Sequence, residues 1–419
     1  MKSDRSLIAF GFLACLLSGG SGATPLAAEN WPRFRGPGGS GRSDAANIPS
    51  QWTDQHYRWV TDLGGTGNSS PVIWGDRLFV TAADESSQQR WLFCLNTADG
   101  TERWRAASQF TAYKKHKNNS FASSTPAVDQ RHVYQLWHAK QQTSLIAYDH
   151  DGDEQWRNEL GPYLHGQGGA TSPIVAGELV VVAHDHSAGS HLIAIDRDSG
   201  QPRWRIPREG KRACYSTPCA RMTAGGLMEL VFVHCYEGVS GIDAKTGRQN
   251  WHIDPFGRDS QRALVSPIIA GNLVIAGSGA VGGERKIVAI AIDGEGADSS
   301  AHEVYRLVRA APHVPTPIAI DDRLYLWGDG GIATCCDLAS GDVVWQKRVG
   351  GTYFASPIAI EDRLFSIDTT GEVVVIAAGD EFSVLARNSL EEGSRASMAV
   401  SNDGLFIRTQ SKVFAIGGQ

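Results

Sequence analysis

Methionine is scarce in this sequence, and the periodic patterning of amphipathic helices is missing. Only 4 of the 419 residues are Met, and no segment repeats apolar residues at the i, i+3 and i+4 positions that mark one face of a helix. Apolar runs are instead short and β-branched, as at residues 179–182 and 273–275. With 47 Gly and 12 Trp, the composition favours short strands and tight turns. The sequence therefore predicts an all-β fold.

An excess of positive charge and several catalytic signatures are also missing. The formal net charge is −6 at pH 7, so no global field attracts the chain to nucleic acid or to anionic membranes. There is no GxSxG nucleophile elbow, no HExxH zinc motif and no CxxC pair. Beyond the first 30 residues, no apolar run is long enough for a transmembrane helix. We therefore expect no nucleic-acid partner, no transmembrane segment and no metal site.

Residues 1–28 predict a signal peptide. Lys2 and Arg5 provide a basic start, an apolar run covers residues 7–17, and small residues follow. The apolar run is too short for a permanent transmembrane helix. Cys15 lies in a poor lipoprotein motif, because Phe12 stands three positions before it, so we do not expect a lipid anchor. The prediction is an exported chain, in the periplasm or outside the cell.

Export would permit disulfides among the remaining cysteines. Cys214 and Cys235 flank a predicted hairpin that turns near residues 224–225, which places them nearly opposite each other; a cross-strand disulfide is one alternative there, two thiols the other. For the adjacent Cys335 and Cys336 we favour one buried and one exposed thiol over a vicinal disulfide. The remaining two are Cys94 and Cys219.

One pattern recurs along the chain and opens each of its units. Every unit begins with a Ser-Pro or Thr-Pro step, and successive opening prolines are 40 to 55 residues apart, the length of one four-stranded propeller blade. Proline suits the first residue of a strand, where no hydrogen bond of the ladder is lost. The steps are Ser70-Pro71, Thr125-Pro126, Ser172-Pro173, Thr217-Pro218, Ser266-Pro267, Thr316-Pro317 and Ser356-Pro357.

A glycine turn followed four residues later by a tryptophan ends most units. The glycine supplies the positive φ that a tight turn needs, and the tryptophan is a large apolar plate between blades whose N–H needs one partner. Tyr305 takes the aromatic position in the fifth unit, and Leu385 takes it in the seventh. The pairs are Gly100 with Trp104, Gly152 with Trp156, Gly200 with Trp204, Gly247 with Trp251 and Gly341 with Trp345.

The two ends of the chain together supply one more blade. The tail offers three strands without a fourth, near residues 397–400, 405–408 and 413–416, and Trp59 lies in an early strand that has no blade of its own. Joining them removes a free sheet edge. We predict a single domain over residues 56–419 with eight four-stranded antiparallel blades, seven blades being the alternative. Residues 29–55 are predicted to form an N-terminal arm over the surface.

The turn segments at residues 194–204, 242–251 and 337–345 resemble the tryptophan-docking repeat of pyrroloquinoline-quinone (PQQ) proteins. The resemblance covers nearly all of the chain after its leader. The chain is similar to the stand-alone PQQ-binding-like repeat propellers of bacteria, to BamB-like scaffold propellers and to the propeller of quinoprotein dehydrogenases. Because the motif describes how blades pack, it implies a fold rather than a site.

The dehydrogenases of that family imply more than the repeat. They hold their cofactor over the propeller axis with a calcium ion, which needs several convergent oxygen ligands. No segment here matches such a ligand set residue by residue, and Cys335-Cys336 lies inside a repeat strand rather than in an extra loop. PQQ and calcium therefore belong to an alternative function, an alcohol or sugar dehydrogenase, and we favour a protein without a cofactor.

The segments just before the opening prolines are the most informative for a site, because they should surround one mouth of the central channel. They are rich in cations, which suit carboxylate or phosphate ligands when several converge; bracing of neighbouring loops is the competing interpretation. Asn68 and Lys117 occupy the first two positions. The candidate binding residues are His165, Arg212, Arg262, His313, Tyr353 and Arg395.

The sequence leaves three functions open. The first is an exported, non-enzymatic binding or scaffold protein, expected to be a monomer, that accepts an envelope protein or a small anionic ligand at the channel mouth. The second is the quinoprotein oxidoreductase. The third is a carbohydrate-binding module in which exposed Trp31, Trp52 and Trp137 would stack on sugars, although packing between blades is the simpler role for them.

Overall fold

A computed structural model describes residues 30–257, 261–279, 283–401 and 404–417 of the protein. These residues form short 3-10 turns at Pro37–Gly39, Asp54–His56 and Gly296–Asp298, and they include no helix that is long and apolar enough to cross a membrane. The predicted signal peptide and Cys15 lie outside the described residues. The strands are β1 (Arg42–Ser43), β2 (Tyr57–Asp62), β3 (Val72–Trp74), β4 (Arg77–Asp84), β5 (Gln89–Asn96), β6 (Glu102–Gln109), β7 (Ala127–Val128), β8 (His132–Trp137), β9 (Thr143–Asp149), β10 (Glu154–Gly161), β11 (Ile174–Ala176), β12 (Leu179–His184), β13 (His191–Asp196), β14 (Pro202–Pro207), β15 (Cys219–Met222), β16 (Met228–His234), β17 (Gly238–Asp243), β18 (Gln249–Ile253), β19 (Ile268–Ala270), β20 (Leu273–Gly279), β21 (Arg285–Asp293), β22 (Ser300–Leu307), β23 (Ile318–Ile320), β24 (Arg323–Trp327), β25 (Ile332–Asp337), β26 (Val343–Arg348), β27 (Ile358–Ile360), β28 (Arg363–Ile367), β29 (Glu372–Ala377), β30 (Val384–Ser389), β31 (Ala399–Ser401), β32 (Gly404–Arg408) and β33 (Lys412–Ile416).

The strands assemble into eight antiparallel blades. Seven of them use four consecutive strands, from β3–β6 in blade 1 to β27–β30 in blade 7. Blade 8 contains β31, β32 and β33, and its fourth strand is β2, with Trp59 opposite Ala415. The predicted eight-bladed propeller and its closure by the N-terminal strand are confirmed.

Apolar side chains of the blades are buried between neighbouring sheets. Each cluster of buried residues joins adjacent blades, because alternate residues of a strand point to opposite faces and both faces are covered. Cys335 and Cys336 of β25 show the consequence: Cys335 packs towards blade 7 and Cys336 towards blade 5, and both are fully buried. The expectation of one exposed thiol was wrong, because it assumed a strand with a solvent face.

The repeat tryptophans dock onto the turn of the next blade. The Trp59 indole Nε1–H donates to the Thr97 carbonyl oxygen at 2.9 Å, and Trp104, Trp156, Trp204 and Trp345 repeat this bond one blade further on each time. The turn glycine lies flat on the same ring: a Cβ on Gly100 would stand 2.5 Å from Trp59. The glycine therefore serves the contact between blades as well as the positive φ of its turn.

Three positions depart from this docking pattern. Tyr305 replaces the tryptophan as predicted, and its hydroxyl donates to the Leu338 carbonyl oxygen at 2.9 Å. Trp251 instead donates to the buried Glu229 of its own blade at 2.8 Å. In blade 5, an insertion between β21 and β22 takes the place of the tight turn on which it would dock. In blade 7 the position belongs to the buried Ala386, opposite Val375. Leu385 was the wrong choice, because a bulge in the strand turns it to the exterior.

Candidate functional site

The Ser/Thr-Pro steps form a belt around the propeller axis. In each link the backbone N–H of one Ser or Thr donates to the hydroxyl oxygen of the Ser or Thr in the next blade, and the side chains are almost fully buried. This role was not predicted from the sequence, although a hydroxyl residue before every opening proline was the visible signal for it. The described links, each 2.9–3.1 Å long, join Ser70 to Thr125, Thr125 to Ser172, Thr217 to Ser266, Ser266 to Thr316, Thr316 to Ser356 and Ser356 to Ser397.

The N-terminal arm closes one end of the channel that the belt surrounds. Trp31 pairs with Ile73 of blade 1, and β1 adds a parallel strand to β27 of blade 7. Between them Arg33 and Arg35 are buried and Phe34 lines the channel. The arm thus crosses the axis, whereas the sequence analysis placed it over the surface.

Both arginines of the arm bind carbonyl oxygens of the opening prolines. Arg33 donates to Pro218 at 2.8 Å, and Arg35 donates to Pro317 at 2.8 Å and to Pro357 at 2.9 Å. Burial lowers the pKa of Arg33 to about 10 and that of Arg35 to about 9. Both guanidinium groups remain charged at neutral pH, so the arm fastens blades 4, 6 and 7 from inside the ring.

The opposite end of the channel holds a cavity of about 460 Å³. Hydroxyls of the belt form its wall, Phe34 belongs to its lining, and Arg262, His313 and Arg395 come from the loops before the opening prolines. Arg262 Nε, His313 Nε2 and Arg395 Nε are buried and have no hydrogen-bond partner in the described part of the chain. Buried polar groups of this kind normally have a partner, so the residues that line the cavity hold unsatisfied polar atoms.

A carboxylate that the sequence analysis did not anticipate accompanies these cations. Asp329, in the turn between β24 and β25, accepts from Arg285 Nη1 at 3.2 Å and from the His313 backbone N–H at 2.6 Å. It therefore orders the loop that carries His313. Burial lowers the pKa of His313, and the positive charges of Arg285 and Arg262 lower it further, against the opposing effect of Asp329.

The other predicted rim residues lie around this cavity at different depths. His165 lies close to the cationic rim residues. Burial lowers its pKa, and the positive charges of Arg262 and Arg212 lower it further. Arg212 is turned outwards and donates from Nε to the Tyr236 hydroxyl at 3.2 Å. Tyr353 does not reach the cavity: it is fully buried against Trp327.

Three further lining residues come from the same segments. Asn68 lines the cavity, and Phe354 takes the place expected for Tyr353. The Phe354 ring lies 5.7 Å from the Arg395 guanidinium carbon. Tyr215 lines the cavity and places its hydroxyl 3.4 Å from His165 Nδ1. The structure thus brings together Asn68, His165, Arg262, His313 and Arg395, while Lys117 borders a smaller neighbouring pocket. Their role in binding stays a prediction.

The cavity lining does not fit a calcium site. Calcium binds six to eight oxygen ligands, usually including carboxylates. Among the described lining residues Asp329 supplies the single carboxylate, and Arg285 and two backbone N–H groups already occupy it. Arg262 and Arg395 add positive charge that opposes a divalent cation. This lining favours an anion.

The tryptophans considered for carbohydrate stacking are all buried. Trp31 is 0% exposed, Trp137 is 1% exposed and Trp52 is 5% exposed. Trp31 lies beneath the Gly36 turn of the arm, where a Cβ would stand 2.6 Å from its ring. None of these rings offers a free face to a sugar, so the packing role is correct.

Buried imidazoles fill the space between blades 2 and 3. His138, His184, His186 and His191 are each at most 5% exposed, and the His138 and His184 rings stack with centroids 6.4 Å apart. Among the described residues these imidazoles do not converge as metal ligands; Cys214, His234 and Cys235 do.

We expect the buried imidazoles to make the protein acid-sensitive. Burial lowers the pKa of His138 to about 4 and that of His184 to about 2. Because these pKa values are lower in the folded state, the histidines of the unfolded chain take up protons first as the pH falls. Their effect on the free energy of unfolding is therefore absent above about pH 6.5, and the free energy of unfolding decreases as the pH drops towards 4. Between pH 7 and pH 5, the free energy of unfolding should decrease by about 2 kcal/mol less in the His138→Phe variant than in the unchanged protein. Urea titrations at the two pH values measure this decrease. The control is His302→Gln, at an exposed position, which should show the same decrease as the unchanged protein. Equal decreases in all three proteins would contradict the prediction.

Comparison with known proteins supports the fold assignment. Residues 88–304, just over half of the chain, match the family model described as outer membrane protein assembly factor BamB. No curated protein matches the chain. Among solved structures, BamB from Moraxella catarrhalis is similar with a TM-score of 0.59 and 13% identity, over 85% of this chain and 97% of that one.

Two enzyme structures share the same architecture. The quinohemoprotein alcohol dehydrogenase ADHIIG from Pseudomonas putida HK5 gives a TM-score of 0.64 at 12% identity, over 93% of this chain and 81% of its own. The quinohemoprotein alcohol dehydrogenase from Comamonas testosteroni gives 0.62 at 13% identity, with the same coverage. At identities this low, the likeness establishes the fold alone. By its family match and its eight docked blades, the chain belongs to the PQQ-repeat β-propeller family of the outer membrane protein assembly factor BamB.

Proposed function

We propose that this protein is an exported, non-enzymatic binding protein that accepts an anionic ligand in its central cavity. The ligand class is a small carboxylate-bearing molecule or the acidic segment of a peptide. The observation that carries the proposal is the pair Arg262 and Arg395, which line the cavity with buried Nε–H groups that have no partner in the described residues. Arginine with convergent free donors favours carboxylate or phosphate oxygens.

The electrostatics of the cavity support an anion rather than a neutral ligand. Asp329, the single carboxylate of the described lining, pairs with Arg285 rather than with Arg262 or Arg395, and burial lowers the pKa of Arg395. A partly desolvated cation without a counter-charge is unfavourable. An incoming anion would restore the missing hydrogen bonds and neutralise the charge, which gives it a reason to bind here.

The shape of the cavity limits the size of the ligand. Its volume of about 460 Å³ lies in the range of small-molecule sites. Because the N-terminal arm closes the far end, a ligand would enter and leave by the loop side, next to Arg262 and Arg395. Family membership also supports a protein partner, since BamB is described as an assembly factor; an acidic peptide segment of that partner would satisfy both observations.

Isothermal titration calorimetry tests the proposal. The probes are citrate, succinate, inorganic phosphate and an Asp/Glu-rich peptide, and we expect at least one carboxylate probe to bind. Arg262→Gln and Arg395→Gln should each weaken that binding about 10- to 100-fold, the value of a charge-assisted hydrogen bond. Arg348→Gln, which removes an exposed arginine of the outer strand β26, should leave the affinity unchanged.

Two results would overturn the proposal. If no anion binds to a folded sample, the unpartnered arginines serve another purpose. If the two cavity variants lose their cooperative thermal transition while Arg348→Gln retains it, the arginines brace the loops instead. Circular dichroism of every variant separates lost binding from lost structure.

The quinoprotein alternative stays a prediction with its own test. Absorbance titration with PQQ, with and without calcium, and dye reduction with alcohols and sugars address it directly. We expect no calcium-dependent binding, because the cavity lining does not fit that ion. Calcium-dependent PQQ binding accompanied by dye reduction would replace the binding-protein proposal with an oxidoreductase.

A further inference from the structure

Two buried thiols face each other beside the cavity. Cys214 and Cys235 lie at the two ends of the β15–β16 hairpin, and their Sγ atoms are 3.3 Å apart. A disulfide bond is about 2.0 Å long, so a shift of roughly 1 Å would join them. From the sequence, a disulfide and two thiols were both open here, and the short Sγ–Sγ distance makes the bond accessible.

Further contacts hold the same two segments in register. The Cys235 backbone N–H donates to Cys214 Sγ at 3.3 Å, and Arg212 Nε donates to the Tyr236 hydroxyl at 3.2 Å. The backbone N–H of Gly210 donates to a carboxylate oxygen of Glu237. Since these bonds already fix the separation of the segments, closing the disulfide would order little additional chain.

His234 completes a group of three side chains that could hold a metal ion, but its hydrogen bonds oppose that use. The Nδ1 atom accepts from the backbone N–H groups of Tyr236 and Glu237 at 3.1 and 3.2 Å. The ring proton is therefore on Nε2, which faces the Arg212 carbonyl oxygen at 3.4 Å. Neither nitrogen has a free lone pair for a metal, and we favour thiol chemistry.

We propose that Cys214 and Cys235 are a redox pair that closes to a disulfide and fixes the cavity wall next to Tyr215. The oxidant is another disulfide, reacting by thiol–disulfide exchange. The S–S bond forms between Cys214 and Cys235 while the S–S bond of the oxidant breaks. The two electrons and two protons of the protein thiols leave with the oxidant as two new thiols.

The oxidation state of the pair would affect binding, because the pair lies next to a residue of the cavity wall. Tyr215 follows Cys214 directly and lines the cavity, and the Thr171 hydroxyl donates to the Cys214 carbonyl oxygen at 3.3 Å. Burial raises the pKa of the Cys214 thiol well above its usual value. The reactive thiolate is therefore scarce in the folded state, so exchange would be slow once the protein has folded. The pairing itself does not depend on the proposed ligand; only its effect on affinity rests on the proposed function.

Redox titration of the purified full chain tests the pair without any assumption about export. The protein is refolded in mixtures of reduced and oxidised glutathione, denatured, alkylated and digested without reduction. We expect the oxidised sample to yield one cross-linked peptide that joins Cys214 to Cys235, and its Tm to fall by about 5 °C on reduction. Cys214→Ser and Cys235→Ser should abolish both effects, whereas Cys219→Ser, another buried cysteine of blade 4, should retain them.

Three outcomes would overturn the inference. The first is alkylation of both cysteines after refolding in oxidised glutathione. The second is a cross-link between other cysteines that survives in Cys214→Ser. The third is stoichiometric zinc in the purified protein, measured by mass spectrometry and lost in both serine variants, which would show a metal site in place of a redox pair. Calorimetry of the oxidised and reduced forms with a carboxylate probe then reports separately whether the pair changes affinity.

Discussion

Replacing Trp59 by alanine is expected to lower the free energy of unfolding by about 4 kcal/mol, the loss typical of a large buried aromatic side chain. Trp59 is 8% exposed, its ring lies against Phe406 at 5.8 Å, and its indole N–H donates to Thr97. It also carries the closing strand β2. A cavity at this position would weaken blade 8 and its contact with blade 1 together.

Urea unfolding followed by circular dichroism measures the effect of the Trp59 change. Trp59→Phe provides the matched control, because it keeps an aromatic plate and loses mainly the N–H bond, at a cost of about 1–2 kcal/mol. If the alanine variant loses less than the phenylalanine variant, the closing strand contributes little to the ring. A reduced denaturant slope in the alanine variant would indicate that blade 8 opens before the rest.

Replacing Arg35 by alanine is expected to cost about 3–4 kcal/mol, close to the loss at Trp59. Its guanidinium donates to five carbonyl oxygens, three of them from blades 6 and 7 and two from the arm itself. Without it these acceptors would be buried and unpaired, which costs more than the hydrogen bonds contributed. Arg35→Lys should recover little, because an ammonium group cannot span acceptors that a planar fork reaches.

Arg42→Ala is the control for Arg35, since Arg42 lies on the same arm with an exposed side chain. We expect it to change stability by less than about 0.5 kcal/mol. Differential scanning calorimetry of the three variants measures the series. Equal stability of Arg35→Ala and Arg42→Ala would mean that water replaces the guanidinium group. The arm would then cover the channel without stabilising the ring.

Local chemistry explains why the sequence predicted the blades. The Ser/Thr-Pro step, the glycine turn and the tryptophan all act within about 50 residues, so their spacing alone gave seven units. The eighth followed because Trp59 was a repeat element without a blade. Tyr305 could be placed for the same reason, since it fell where a large ring was needed.

The site depends on contacts that spacing does not encode. Arg35 meets Pro357 across 322 positions of sequence, and Asp329 reaches the loop of His313 from a neighbouring hairpin. The errors share this origin. Tyr353 was assigned to the channel rim and one thiol of the Cys335–Cys336 pair to the solvent, while their burial is set by neighbouring blades and loops that the repeat does not describe.

Closure by β2 has a consequence for how the molecule is made. A chain is synthesised from its N-terminus, and domains generally fold as units. Here β2 must wait for β33, and the arm must wait for Pro317 and Pro357, so the earliest segments have the latest partners. Until the last strand emerges, β2 remains unpaired at the open edge of an incomplete ring. A stop codon before β33 would therefore remove the last eight residues of the sequence and leave β2, near the opposite end, without its partner strand.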